Sequence, residues 1–160
     1  MPRRSERVVD AVRVRRVLAP TDFSAGAEAA VRWAAAVAAA FGAGLTVLHV
    51  IDLSDVVPLP AAVPGFVSLP LGDIVEQTRR GAEEAMAQLL DRYPQAEPLI
   101  REGPPPEVIL EVATEVGAAL IAMGTHGRTG VDRVIFGSVA EHVVRHSPVP
   151  VLTVRLPRAS

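Results

Sequence analysis

The residues of this chain best suited to chemistry lie between Leu120 and His146, where it reads LIAMGTHGRTGVDRVIFGSVAEHVVRH. Gly124 closes an uncharged apolar run, Ala118 to Met123, and Gly127 and Gly130 follow it. Gly137-Ser138 then opens a stretch with Val139, Val143 and Val144 at helical spacing. A buried strand, a glycine-rich loop and a helix start suit a phosphate site; the other reading is a loop whose glycines serve only to turn the chain. Glycine lets the backbone turn at positive φ and lets N–H groups come close to a ligand, and free amides at a helix N-terminus favour an anion. Arg128 and Arg133 add positive charge to the loop. Ser138 offers its hydroxyl either to a ligand or to the helix as a cap. The loop is not a Walker sequence, because the chain contains no lysine, and no G-x-G-x-x-G occurs.

Two other groups of residues invite a chemical reading. Asp22, in Pro20-Thr21-Asp22-Phe23-Ser24, either caps a helix or stands in a ligand crevice at the end of a strand. His142 and His146 stand at i and i+4, a metal spacing, but Arg145 lies between them and no third ligand is evident. His49 is a lone histidine in an apolar strand and reads as structural.

The elements that position these residues alternate. Val14 to Ala19 reads as a strand stopped by Pro20. Ala25 to Phe41 reads as a helix ended by Gly42 and Gly44, and Leu45 to Ile51 as a second strand. Asp52 to Leu71, with Pro58, Pro60, Pro64 and Pro70, is an apolar loop that folds over the crevice or against a partner. Gly72 to Tyr93 is an amphipathic helix, with Ile74, Thr78, Ala82, Ala85, Met86 and Leu89 on its apolar stripe. Ala96 to Arg101 is a weak strand near an edge. Glu107 to Val116 is a helix entered through prolines. The strand before Gly124, the helix from Ser138, and a strand from Val149 to Val154 complete the chain. Such alternation predicts a parallel sheet with helices on both faces.

Composition narrows the functional classes. The 160 residues form one domain with a real core, 49% hydrophobic and 21% charged. A formal net charge of −2 argues against nucleic-acid binding. The absence of cysteine excludes disulfides and zinc-cysteine sites. Residues 1–12 read as an N-terminal extension and 13–156 as the domain. The start lacks an apolar signal region. The uncharged stretch Trp33 to Ile51 is cut by Gly42-Ala43-Gly44, so helix, turn and strand explain it better than a membrane span. A cytoplasmic location with no membrane partner is expected.

Gly124-x2-Gly127-x9-Gly137-Ser138, with Pro20-Thr21-Asp22-Phe23-Ser24 and Ser147-Pro148-Val149-Pro150-Val151-Leu152, resembles the signatures of the universal stress protein family in its ATP-binding branch. The resemblance runs from about Val14 to Arg155. It implies a single-domain open parallel five-stranded sheet in the order 3-2-1-4-5, of the adenine nucleotide alpha hydrolase type. The sequence alone also allows 2-1-3-4-5. In the implied order the two motif-bearing turns are neighbours at the switch point, where ligands bind.

The implied function is adenine-nucleotide binding, as ATP or as AMP or ADP, with a magnesium ion bridging the phosphates and Asp132 the loop carboxylate near enough to support it. Pro20, Thr21, Asp22, Val50 and Met123 would hold base and ribose. Backbone groups of Gly124, Gly127, Gly137 and Val139, with His126, Arg128 and Ser138, would hold the phosphates. The output would be regulatory, with little or no hydrolysis and no catalytic constellation. The resemblance also implies a homodimer paired through the edge strand Val149 to Val154. Two alternatives are an ATP-dependent adenylating enzyme on a similar sheet and a nucleotide-free dimerising scaffold.

Overall fold

In a computed structural model of the chain, residues 13–56, 71–126 and 136–156 are described. The strands are β1 (Arg16–Pro20), β2 (Gly44–Ile51), β3 (Ala96–Glu102), β4 (Leu120–Gly124) and β5 (Val151–Val154). The helices are α1 (Ala25–Phe41), α2 (Leu53–Val56), α3 (Leu71–Leu90), α4 (Pro105–Glu115) and α5 (Ser138–His146). All strand pairs are parallel, in the order β3-β2-β1-β4-β5. The order implied by the resemblance is therefore the one present. The single turn α2 falls in the stretch expected to be an irregular loop; residues 57–70 of that loop lie outside the described residues, as does the extension, 1–12.

Strand alternation divides the core into two layers. Val17 and Ala19 of β1 and Leu45 and Val47 of β2 point to one face, where Val31, Ala34 and Ala38 of α1 and Met86 and Leu89 of α3 cover them. Leu18, Leu48, Ile121 and Met123 point to the other face, under Ile109 and Val112 of α4 and Ala140 and Val143 of α5. The alanine-rich side of α1 lets that helix lie close to the sheet. The stretch weighed as a membrane span resolves into the end of α1, a left-handed Gly42 (φ 62°) and β2. No described helix is long and apolar enough to cross a membrane.

β1 ends at Pro20, which is itself the strand's last residue, opposite Leu48, one residue beyond the expected Ala19. The reason lies in which way its missing donor points. Gly44 N–H bonds to Arg15 O and Thr21 N–H to Leu48 O (2.8 Å), so odd-numbered residues of β1 face β2. Ala119 N–H bonds to Arg16 O, so even-numbered ones face β4. The absent N–H of Pro20 therefore lies on the β4 side. Pairing with β4 runs only to Leu18↔Ile121, while pairing with β2 runs on to Pro20↔Leu48. The sheet splits beyond β1 and β4, which opens a crevice there.

Gly124 is held to glycine by packing. A Cβ on it would lie 3.0 Å from Gly26 C and 3.2 Å from Ala27 N, so the first turn of α1 rests directly on the end of β4. Gly81, in the middle of α3, has nothing within 4 Å of the same position. Gly124→Ala is expected to lower unfolding free energy by about 1–3 kcal/mol through overpacking. Gly81→Ala should raise it by about 0.5–1 kcal/mol by helix propensity. Denaturant titration of both variants checks the pair; equal effects would show that the α1–β4 approach is loose.

Candidate functional site

The turn after β1 is specified residue by residue. Ser24 is the N-cap of α1, its Oγ accepting Ala27 N–H at 3.2 Å, and Asp22 Oδ1 accepts Ser24 N–H at 3.0 Å. Of the two capping candidates, Ser24 caps and Asp22 shapes the turn before it. Phe23 N–H donates to Thr21 Oγ1 at 3.0 Å, and Phe23 sits at φ 63°, a conformation a bulky residue rarely adopts. His49 is buried in β2. Its Nδ1 is 2.8 Å from Thr21 O, and its ring centroid is 4.5 Å from that of Phe23. A carbonyl only accepts, so Nδ1 carries the proton. The structural reading of His49 agrees with this bond.

Beyond Pro20, β2 continues without β1 beside it. Leu48 O accepts Thr21 N–H, and Ile51 O accepts Gly103 N–H at 3.1 Å, so Leu48 faces β1 and Ile51 faces β3. By alternation Val50 turns its N–H and C=O toward the β1 side. Among the described residues no backbone bond joins Val50 to the β1–α1 turn. One donor and one acceptor, side by side, therefore face the crevice.

The other end of the crevice is the start of α5. Gly137 is the N-cap, with extended backbone (φ −71°, ψ 162°) and no side-chain cap. Ser138, expected as a possible cap, is instead the first helical residue, and its side chain is exposed. The first intrahelical bond runs from Glu141 N–H to Gly137 O at 2.9 Å. The amides of Ser138, Val139 and Ala140 have no acceptor within the helix. All three residues line the cavity, so the positive end of α5 opens into it.

Two of the expected glycines also serve the fold itself. Gly137 N–H donates to Thr125 O at 2.7 Å, so that amide is committed inside the protein. Gly124 is required by the packing of α1, whatever else it contacts. His126 lines the cavity with its Nδ1 2.9 Å from Thr125 Oγ1. Gly127, Gly130, Arg128, Arg133 and Asp132 lie outside the described residues.

These ends meet in one open cavity of about 830 Å³. Of the expected contacts, Pro20, Thr21, Asp22, Val50, Met123, Gly124, His126, Ser138 and Val139 line it. Sequence reasoning missed one wall. Thr78, Gly81, Ala82 and Ala85 of α3 and the turn Pro104–Pro106 with Glu107 close the side toward β3. The small residues of α3 were a legible signal, but at helical spacing they read as core. His142 and His146 stand outside the cavity, at the far end of α5, with ring centroids 4.3 Å apart and His146 Nδ1 bonded to His142 O. No group of three or more potential metal-ligating side chains occurs among the described residues.

Comparison with known proteins agrees with this architecture. The model of the Universal stress protein family matches residues 13–155. Universal stress protein MJ0531 of Methanocaldococcus jannaschii is 32% identical, over 90% of this chain and 84% of its own length. Universal stress protein MJ0577 of the same organism is 31% identical over 90% of this chain and 96% of its own. The solved structure of MJ0577 superposes with a TM-score of 0.78 at 28% identity, covering 92% of this chain and 99% of that one. On the family match, the identity to these relatives and the shared length, this chain belongs to the universal stress protein family.

Proposed function

We propose that the protein binds an adenine nucleotide in the crevice between β1 and β4 and acts as a regulatory dimer. The observation that carries this reading is the pair of main-chain groups at Val50. Adenine presents an acceptor at N1 beside a donor at N6. Val50 N–H and C=O complement that edge, whereas guanine sets a donor, N1–H, against the Val50 N–H. Met123 and Pro20 supply apolar contact for the base, and the carboxylate of Asp22, with Thr21, suits ribose hydroxyls.

With the base at Val50, the phosphates extend toward α5. The amides of Ser138 and Val139 receive them, with the Ser138 hydroxyl and His126 beside them. Gly127, Arg128 and the backbone at Gly124 complete the proposed phosphate contacts. Gly137 contributes by leaving space and by its cap geometry, since its amide is engaged with Thr125 O. The described residues offer no metal-holding cluster. A magnesium ion would be held by phosphate oxygens and water, with Asp132 the loop carboxylate that could join them.

The output we propose is regulatory, with little or no hydrolysis. The dimer reading is supported by β5. Ile121 N–H bonds to Pro150 O and Thr125 N–H to Val154 O, so Val151 and Thr153 turn their main chain outward. The Ser147 hydroxyl, bonded to Val149 O at 2.7 Å, delays the strand to Val151, later than the expected start at Val149. An uncharged edge of this kind invites a second strand.

Titration calorimetry should show ATP binding at least tenfold tighter than GTP, and Asp22→Ala should weaken ATP about tenfold, the worth of one charge-assisted hydrogen bond. No heat at millimolar ATP with folded protein would remove the nucleotide reading. Thr153→Pro removes an outward donor without touching the β4 ladder. It should convert a dimer at micromolar concentration to a monomer by sedimentation with the fold retained; an unchanged mass would show that β5 is not the interface.

A further inference from the structure

The open main chain of Val50 has a structural cause. Two more rungs of a parallel β1–β2 ladder would join Val50 N–H to Thr21 O and Phe23 N–H to Val50 O. Neither rung is made. Thr21 O accepts from His49 Nδ1 at 2.8 Å, and Phe23 N–H donates to Thr21 Oγ1 at 3.0 Å. Two side chains take the partners Val50 would otherwise have. The turn that results holds Phe23 at φ 63° with its ring against His49, so the diversion is fixed by packing as well.

We propose that His49 and Thr21 are positioning residues that terminate the β1–β2 ladder two rungs short and so keep the Val50 donor and acceptor open to a purine edge. This rests on the adenine reading for its functional consequence. The ladder itself is independent of any ligand. His49, which also lines the cavity, thereby sets base specificity through the Val50 main chain. A side chain unable to donate at the Nδ1 position frees Thr21 O, and the Val50 amide turns inward to it. Loss of the Thr21 hydroxyl frees Phe23 N–H for Val50 O in the same way.

The test has a ligand-free arm and a ligand arm. In amide exchange followed by NMR without nucleotide, the Val50 N–H of the wild-type protein exchanges fast for a residue inside a strand. In His49→Leu it should be protected at least tenfold more. His49→Asn, whose amide nitrogen can occupy the Nδ1 position, should return it to fast exchange. In calorimetry, His49→Leu and Thr21→Val should each bind ATP about tenfold more weakly and lose most of the ATP-over-GTP preference, with His49→Asn restoring both. Thr21→Val keeps the shape of the side chain and serves if His49→Leu does not fold. A wild-type Val50 amide already protected, or variants with unchanged preference for ATP over GTP, would overturn the proposal. If the exchange results hold but no form binds ATP, the adenine reading fails and the ladder stop stands as a structural fact alone.

Discussion

The functional geometry depends on where hydrogen bonding along β1 ends. Pro20 lacks the donor that would continue pairing with β4, and past Thr21 the partners on the β2 side are taken by side chains. A parallel sheet that kept pairing would bury these groups and leave no crevice. Because pairing ends early on both sides of the central strand, main-chain donors and acceptors at the carboxyl end of the sheet stay unpaired next to an open space. Unpaired groups of this kind are costly when buried without water. A ligand whose edge matches them recovers that cost, which makes such a place suited to recognition.

A second constraint brings the two ends of the crevice together. Gly26 and Gly124 let the start of α1 rest on the end of β4, where a Cβ on Gly124 would press on the Gly26 backbone at 3.0 Å. The Asp22 turn is thereby fixed relative to Thr125, and Thr125 O in turn holds Gly137 N–H at the cap of α5. The chain of contacts runs from the β1 turn to the α5 N-terminus through backbone atoms alone. A site assembled this way is set by the fold and needs little rearrangement to receive an anion.

Much of this was readable from residue types. Uncharged Ala118–Met123 marked a strand covered on both faces, and the alanine side of α1 marked close packing on a sheet. Gly42, at φ 62°, marked the end of α1. The sheet order needed the family resemblance, because βαβ alternation does not distinguish 3-2-1-4-5 from 2-1-3-4-5. Pro20 marked the end of β1, but which neighbour strand it releases depends on which way its nitrogen faces, and that requires the register. The glycines of the loop motif look alike in sequence but differ in space: Gly124 serves packing and Gly137 caps a helix. The α3 wall escaped notice because Gly81, Ala82 and Ala85 look the same whether they face a core or a cavity. His49 read as structural, which its bond to Thr21 O supports; its link to Val50 emerges only when both sides of β2 are traced.

The most direct measurement is a two-dimensional amide NMR titration with ATP. An adenine nucleotide seated as proposed shifts the Val50 amide and the Ser138 and Val139 amides together, with one saturation curve, while the Gly137 amide, held by Thr125 O, moves far less. Saturable binding that leaves Val50 and the first turn of α5 unmoved, or that shifts only one of the two ends, would contradict the placement of base and phosphates at opposite ends of one crevice.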